Sequence, residues 1–156
     1  MPGIVSRIVE VVVFRFTHDR PEYLLLRRAR EEKIYPGMWQ IITGKVREGE
    51  TAVQAARREL LEETRISPER FWVLPYTGTF YDPGMDAIQI SPFFAAQAPE
   101  QADPVLSNEH AAFRWLSLEE ASRTLVWTGQ REGLRLVHEC IVGGGEASGL
   151  ALLPPD

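Results

Sequence analysis

The sequence predicts an α/β fold in one domain that spans residues 1–156. Apolar runs with the alternation of β-strands occur in both halves of the chain, and two stretches with helical spacing, at about 51–65 and 129–142, lie among them. With 44% hydrophobic and 25% charged residues, the chain is large enough to bury a core and to carry a site beside it. The tail from about residue 143 has little patterned apolar surface, so we expect it to be loosely ordered.

Three strands are predicted in the first third of the chain. The run Ile4–Phe16 is rich in Val, Ile and Phe and indicates a well-buried strand. A short polar turn beginning at His18 leads to a second strand at Tyr23–Leu26, so we expect these two strands to form a hairpin. The turn signal Tyr35-Pro36-Gly37 then places a short strand at Trp39–Thr43.

The second half of the chain predicts a hairpin, a short strand and two helices. Phe71–Phe80 and Asp86–Gln97 are β-rich and flank a Pro-Gly turn, which is typical of a hairpin. Phe113–Leu116 has the pattern of a short strand, and Ser117 begins a capping box that starts a helix. The final helix is predicted at Gly129–Val142.

Composition excludes several classes of function. Lys and Arg total 17 against 22 for Asp and Glu, and the net charge of −5 argues against a broad surface for duplex nucleic acid. A single cysteine, Cys140, rules out an intrachain disulfide, and the three histidines lack the spacing of zinc ligands. No signal-peptide pattern and no apolar run of membrane-spanning length occur, so we expect a cytoplasmic protein without a membrane partner.

The helix that begins after Thr51 carries three glutamates in an unfavourable place. At about 100° per residue, Glu59, Glu62 and Glu63 fall within one arc beside the apolar stripe of the helix. They lie near its C-terminus, where the helix dipole disfavours negative charge, and Glu59 and Glu63 form a like-charged i,i+4 pair. A hard divalent cation such as Mg²⁺ would offset this clustering, although the helix pattern alone fits an ordinary solvated acidic face equally well.

The segment from Gly44 to Ile66 decides between these two interpretations. Five residues separate Gly44 from Glu50, seven more precede Arg58, and the run from Arg58 to Ile66 follows. This spacing resembles the Nudix box, G-x₅-E-x₇-R-E-U-x-E-E-x-G-U, where U is apolar. Every defined position matches except Arg65, which stands where the pattern has Gly and must either extend the helix or adopt a costlier backbone conformation.

The resemblance to the Nudix family implies an α/β/α sandwich with a mixed sheet and a Mg²⁺ cofactor, with Mn²⁺ as a substitute. It implies that the metal is held by the glutamates of the box, with the Gly44 carbonyl as a further contact, and that Glu50 and Arg58 pair to hold the loop against the helix. The implied metal ligands on the helix are Glu59, Glu62 and Glu63.

Two flanking segments widen the resemblance. Trp39–Gly44 and Asn108–Leu116 resemble the branch of the family that includes dihydroneopterin triphosphate and dATP pyrophosphohydrolases. That branch implies Glu109 as a further metal ligand, Arg28 as a residue that approaches the substrate phosphates, and Thr43 as part of the pocket wall. Trp127 also matches a tryptophan of that branch, but we interpret it as a core aromatic, which is the commoner fate of a lone Trp.

The resemblance therefore implies Mg²⁺-dependent hydrolysis of a phosphoanhydride bond in a nucleoside or pterin triphosphate, which releases pyrophosphate and the monophosphate. The candidate catalytic residues are Glu59, Glu62 and Arg58, and the general base is left open between Glu59, Glu62 and Glu109. Two alternatives stay open: the same fold acting on dinucleoside polyphosphates, nucleotide sugars or RNA 5′ ends, and a non-catalytic module that senses nucleotides. The sequence makes no prediction of the oligomeric state.

Overall fold

The chain folds around one mixed sheet of eight strands, with helices on both faces. A computed structural model describes residues 1–156. The strands are β1 Gly3–Val5, β2 Ile8–Thr17, β3 Arg20–Arg28, β4 Trp39–Gln40, β5 Ile42–Lys45, β6 Arg70–Asp82, β7 Ala87–Gln97 and β8 His110–Leu116. The helices are α1 Ala52–Thr64, α2 Leu118–Thr124, α3 Thr128–Leu136 and α4 Glu146–Ala151, with a π-helix at Val137–Val142 between the last two. No helix has both the length and the apolar character needed to cross a bilayer.

The α-β-α layering appears in the alternation of side chains along the strands. On β2, Val9, Val11 and Val13 pack with α1, whereas Val12 and Phe14 pack with α2 and α3. The two faces each bury a cluster of 14 residues, so the sheet separates two cores of equal size. The expected α/β/α sandwich with a mixed sheet is confirmed.

The first predicted strand is divided in two. β1 and β2 both run parallel to β7, β1 beside Ala87–Gln89 and β2 beside Phe93–Gln97, with a break at Ser6–Arg7 between them. The predicted hairpin of β2 and β3 is confirmed: its two loop residues, His18 and Asp19, both have positive φ angles, of 50° and 61°. That conformation is typical of the tight turns that match the twist of paired strands.

The sheet forks between β2 and β3. Along one edge of β2, residues 8–11 pair with β5 and residues 14–17 pair with β3, so β3 diverges from β2 beyond Tyr23. The chain from Trp39 to Lys45 enters this fork, first pairing with β3 as β4 and then with β2 as β5. The single strand predicted at Trp39–Thr43 is therefore divided at Ile41, and the second edge of β5 has no strand partner.

Both ends of α1 are defined by local chemistry. Thr51 and Gln54 form the predicted capping box, in which each side chain bonds the backbone N–H of the other residue. At the other end, Arg65 adopts the left-handed conformation, with φ 58° and ψ 14°, and its N–H donates to the carbonyl of Leu61. Arg65 thus ends the helix in the same way as a glycine would.

The C-terminal tail makes more contacts than its sequence pattern predicts. Leu152 forms an antiparallel bridge to Trp72 of β6, and the indole N–H of Trp72 donates to the carbonyl of Ser148 at 3.0 Å. Farther along, the guanidinium of Arg57 on α1 donates to the carbonyl of Pro154 at 2.6 Å. An edge of β6 and the outer side of α1 supply these backbone and side-chain partners, which periodicity cannot reveal.

Replacing Arg65 with glycine should stabilise the fold. A left-handed non-glycine residue costs about 1–2 kcal/mol, and the greater freedom of glycine in the unfolded chain returns part of the gain, so we expect Arg65→Gly to raise the free energy of unfolding by about 0.5–1 kcal/mol. Arg65→Ala keeps the strained conformation and is the matched control. Urea denaturation would measure both, and an equal gain in the two variants would contradict this explanation.

Candidate active site

Glu63 is the most deeply buried carboxylate of α1. It is 3% exposed, and its Oε2 atom has no hydrogen-bond partner. Burial, followed by the negative charges of Glu59 and Glu109, raises the pKa of Glu63 to about 9. An ionised carboxylate held in this way is costly, because neither water nor a protein donor compensates for its charge.

Glu59 packs directly against the backbone of Gly44. A β-carbon at position 44 would lie 2.1 Å from Cδ of Glu59, so only glycine leaves room for the carboxylate in its present position. Burial raises the pKa of Glu59, while the guanidinium of Arg58 opposes this shift. β5 and α1 thus place Gly44 and Glu59 in contact, and their shared role in a metal site stays a prediction.

Arg58 joins the loop after β5 to the helix. Its Nε and one terminal nitrogen form a two-pronged ion pair with Glu50, at 2.7 and 2.9 Å, and this contact lowers the pKa of Glu50 to about 2. The other bonds of the guanidinium go to the Lys45 carbonyl at 2.8 Å, Glu59 at 2.6 Å and Glu62 at 3.1 Å. These five contacts engage all five N–H groups of the side chain, so Arg58 acts here as a brace between loop and helix.

Glu62 is separated from the other two helix glutamates. Its side chain is 45% exposed, and its two oxygens accept hydrogen bonds from Arg47 at 3.0 and 3.3 Å as well as the bond from Arg58. The roles of Glu62 as a metal ligand and as a candidate base stay predictions, and its geometry favours them less than it favours those of Glu59 and Glu63.

The loop before β8 brings Glu109 close to Glu63 of α1. Side-chain ligand atoms of Glu63, Glu109 and His110 all lie within 4.8 Å of one another. The loop is held in place because the backbone N–H of Ala29 donates to the carbonyl of Glu109 at 2.8 Å, and β8 pairs with β3 through Arg28 and His110. Two distant parts of the sequence thereby form one acidic group.

His110 was not predicted as a site residue. It is 5% exposed, its Nδ1 atom has no partner, and its Nε2 atom lies 3.3 Å from the side-chain nitrogen of Gln40. Burial, together with the positive charge of Arg28, lowers the pKa of His110 to about 4, so the ring is neutral near pH 7. The adjacent Glu109 was the only sequence signal for this residue.

Arg28 lies close to the acidic group but is tied to the loop after β3. Its charge lowers the pKa of Glu63, which places the guanidinium within electrostatic reach of that carboxylate. Its Nε donates to the Ile34 carbonyl at 2.7 Å, and a terminal nitrogen pairs with Glu32 at 3.1 Å. Contact with substrate phosphates stays a prediction for Arg28, whose other three N–H groups form no hydrogen bond within the protein.

Thr43 lies on the opposite face of the sheet from α1, in a buried polar cluster. Its hydroxyl donates to Oε2 of Glu10 at 2.9 Å, and the side-chain nitrogen of Gln130 donates to the same oxygen at 3.0 Å and to Thr43 at 3.2 Å. Burial raises the pKa of Glu10 to about 7, against the effect of these two hydrogen bonds. The sequence carried one signal for this cluster, the lone acidic residue within an apolar strand.

Trp127 is not the core aromatic that the sequence suggested. Its side chain is 43% exposed, and its ring meets that of Tyr35 edge-on, with centroids 5.2 Å apart. The interpretation was wrong because Trp127 lies in the short connection between α2 and α3, in which Leu125 is buried in the core and Trp127 is left at the surface.

The residues at the end of α1 fit a divalent cation. Glu63 presents an unpaired buried oxygen, Glu109 is exposed beside it, and Glu59 adds a third carboxylate whose charge affects the first. Carboxylate oxygens are the ligands that Mg²⁺ and Mn²⁺ accept, and a cation here would compensate for the burial and the mutual repulsion that raise the pKa of Glu63.

Comparison with known protein families identifies the domain that contains these residues. The NUDIX domain profile matches residues 6–137, which include the forked sheet, α1 and the Glu109 loop. The chain belongs to the Nudix hydrolase family. Within the Nudix box of this protein, the buried position is Glu63, the exposed one is Glu62, and the helix ends on Arg65 in place of the usual glycine.

Two relatives and one solved structure are similar to this chain over most of its length. A dihydroneopterin triphosphate diphosphatase from Escherichia coli (strain K12) is 31% identical over 142 residues, which cover 82% of this chain and 91% of that protein. An octanoyltransferase from Myxococcus xanthus is 32% identical over 136 residues, but this chain spans only 36% of its length. The crystal structure of a C. elegans Ap4A hydrolase binary complex superposes with a TM-score of 0.76 and 26% identity, over 90% of this chain and 100% of that one.

Gly44→Ala should displace Glu59 while it leaves the Gly44 carbonyl in place. The added β-carbon would overlap the Glu59 carboxyl group, and a displacement of about 1 Å in a catalytic group can cost about 100-fold in rate. We expect metal-dependent turnover to fall by about that factor, with the circular dichroism spectrum unchanged. Gly3→Ala, at a strand glycine with open space around it, is the control. Unchanged turnover in Gly44→Ala would show that the position of Glu59 does not matter.

The raised pKa of Glu10 should appear in the stability of the fold. Because the folded state favours the protonated carboxyl, its stabilising contribution is complete below about pH 4.5 and is lost as the pH rises toward about 7. Over that interval the wild type should lose roughly 3 kcal/mol relative to Glu10→Gln. Denaturation at a series of pH values would measure this difference, with the exposed Glu119→Gln as control. A constant difference across the interval would contradict the assignment.

Proposed function

We propose that this protein is a Mg²⁺-dependent pyrophosphohydrolase, with Mn²⁺ as an alternative metal, that converts a nucleoside or pterin triphosphate into the monophosphate and pyrophosphate. The observation that carries the proposal is the unpaired, buried oxygen of Glu63 beside Glu59 and Glu109. A module that only senses nucleotides has no need for this costly arrangement.

Glu59, Glu63 and Glu109 are the residues that would hold the metal. The Gly44 carbonyl, next to Glu59, would be a further contact. When bound there, the metal neutralises phosphate oxygens and acidifies a water molecule for attack. The protein supplies position: Arg58 holds Glu59 in place, and the packing of Gly44 lets the helix approach β5 closely. Arg28 provides positive charge at the end of β3, beside Glu63.

The hydrogen bonds around the site favour one of the three candidate bases. Glu59 accepts a bond from Arg58, and Glu62 accepts bonds from Arg58 and Arg47. Glu109 is exposed, and its carboxylate forms no ion pair within the protein. No protein donor occupies the oxygens of Glu109, so the oxygen that does not hold the metal is best placed to accept the proton of the attacking water.

The substrate class rests on the relatives. The diphosphatase from E. coli that resembles this chain over most of both lengths acts, by its name, on dihydroneopterin triphosphate. The structural match to an Ap4A hydrolase supports a second candidate, hydrolysis of a dinucleoside polyphosphate. We propose a cytoplasmic location, which the single free cysteine, Cys140, suits because the cytoplasm is reducing.

A substrate panel with products identified separately would test the proposal. Triphosphate substrates should yield pyrophosphate and a monophosphate, whereas a dinucleoside tetraphosphate would yield two nucleotides and no pyrophosphate. The panel should be run with Mg²⁺, with Mn²⁺ and with a chelator. No turnover of any phosphoanhydride with either metal would refute an enzymatic role.

Glu63→Gln should abolish metal-dependent turnover and leave the fold intact. The variant retains the shape of the side chain but removes the charge that the metal would neutralise, so we expect a loss greater than the roughly 10- to 100-fold typical of outer-shell partners. Mg²⁺ should also raise the melting temperature of the wild type but not that of the variant. Glu119→Gln carries the same charge change at an exposed site on α2 and should behave as the wild type. Full turnover in Glu63→Gln at saturating Mg²⁺ would remove Glu63 from the ligand set.

A further inference from the structure

The cluster of Glu10, Thr43 and Gln130 has no part in the phosphate chemistry described above, yet it is expensive to bury. Glu10 is 8% exposed and Gln130 is 4% exposed. The three side chains come from β2, β5 and α3, and so from distant parts of the sequence. A buried carboxylate that the fold does not need for packing suggests a ligand.

When Glu10 is ionised, the hydrogen bonds of the cluster leave only acceptors free. The Thr43 hydroxyl and both hydrogens of the Gln130 amide are used, because they donate to Oε2 of Glu10 and to Oγ1 of Thr43. Oε1 of Gln130 is buried without a partner, and Oε1 of Glu10 accepts no hydrogen bond from the protein. A ligand that completes this cluster must therefore bring at least two donors.

We propose that Glu10, Thr43 and Gln130 bind the heterocyclic ring of the substrate, and that this ring presents two adjacent N–H donors, as the 2-amino-4-oxopyrimidine edge of guanine and of pterins does. This inference rests on the proposed function, because it names the part of the triphosphate substrate that the phosphate site does not contact. Adenine presents one donor beside one acceptor, so its ring nitrogen would face an oxygen of the cluster and be rejected.

The topology connects the cluster to the carboxylates of α1. Thr43 and Gly44 are consecutive residues of β5, so their side-chain positions lie on opposite faces of the sheet, about 3.3 Å apart along the strand. β5 pairs with β2 on one edge and has no strand partner on the other. A substrate whose ring lies on the α3 face can pass over this free edge and bring its phosphates to Glu59 and Glu63.

Aromatic side chains lie at the same end of α3. Trp127, the N-cap residue of α3, lies three positions before Gln130, and its exposed ring contacts Tyr35. The Tyr76 hydroxyl donates to the Gly129 carbonyl at 3.3 Å, and burial, followed by the charges of Glu132 and Glu10, raises its pKa. Flat apolar faces beside a polar cluster are the usual walls of a site for a heterocyclic ring.

The decisive comparison is between GTP and ITP, which differ only by the 2-amino group. Losing one hydrogen bond to a charged acceptor costs about 10- to 100-fold, so kcat/KM should be higher for GTP than for ITP by that factor, and ATP should be poorer still. A parallel arm with 7,8-dihydroneopterin triphosphate distinguishes guanine from pterin as the natural source of the same edge. Equal kcat/KM for GTP and ITP in the wild type would overturn the inference without any variant.

Variants of Glu10 and Gln130 would test whether this cluster causes the preference for GTP over ITP. Glu10→Gln preserves the shape but replaces a free acceptor with a donor, so the ratio of GTP to ITP should fall to about one, mainly through KM. Gln130→Leu should reduce the ratio in the same direction. Glu119→Gln, the same change on the exposed side of α2, should keep the wild-type ratio. A wild-type ratio in Glu10→Gln would also overturn the inference.

A binding measurement separates this inference from the proposed function. Calorimetry with GMP and IMP in the absence of metal requires no hydrolysis, and GMP should bind the wild type about 10- to 100-fold more tightly than IMP. That preference without turnover of any triphosphate would refute the proposed function and leave the ring site standing. Turnover of a triphosphate without any preference between GMP and IMP would support the proposed function and overturn the ring site. A melting temperature that depends on Na⁺ or K⁺ in the wild type but not in Glu10→Gln would assign the cluster to a cation and overturn the inference.

Discussion

The divergence of β3 from β2 is the constraint on which the rest of the structure depends. Each stretch of a strand edge can bond only one neighbour, so the edge of β2 that β3 leaves must be completed by another segment. β5 supplies those bonds, and it places Thr43 on one face of the sheet and Gly44 on the other. Both polar sites of the molecule are built on these two residues.

Positive charge is shared unequally among the glutamates on the α1 face. Arg58 uses all its donors on Glu50, Glu59, Glu62 and the loop backbone, which neutralises the outer part of the acidic surface and fixes the loop. Glu63 receives no hydrogen bond from Arg58, and beyond burial the largest effects on its pKa come from Glu59 and Glu109, which the charge of Arg28 only partly offsets. The protein therefore pairs the charges that hold the loop to the helix and leaves Glu63, a proposed metal ligand, without a partner.

The elements were predictable from sequence where local chemistry determines them. The capping boxes at Thr51 and Ser117, the alternation along β2 and the fixed spacing of the Nudix box all describe interactions within a few residues or within one helix. The break at Ile41, the position of the tail and the cluster around Glu10 depend instead on segments far apart in the chain. Gln130 contacts a residue 120 positions away, and no periodicity within α3 records that contact.

The left-handed conformation of Arg65 shows what the glycine position of the Nudix pattern requires of the backbone. The Nudix pattern is written with glycine there, but the structure retains the backbone handedness and the helix end while changing the residue. What is selected at such a position is a dihedral angle, and glycine is only its least costly solution, by about 1–2 kcal/mol. Searches that demand the glycine itself will pass over family members whose folds can tolerate that difference, and the spacing of the carboxylates is the more faithful signature.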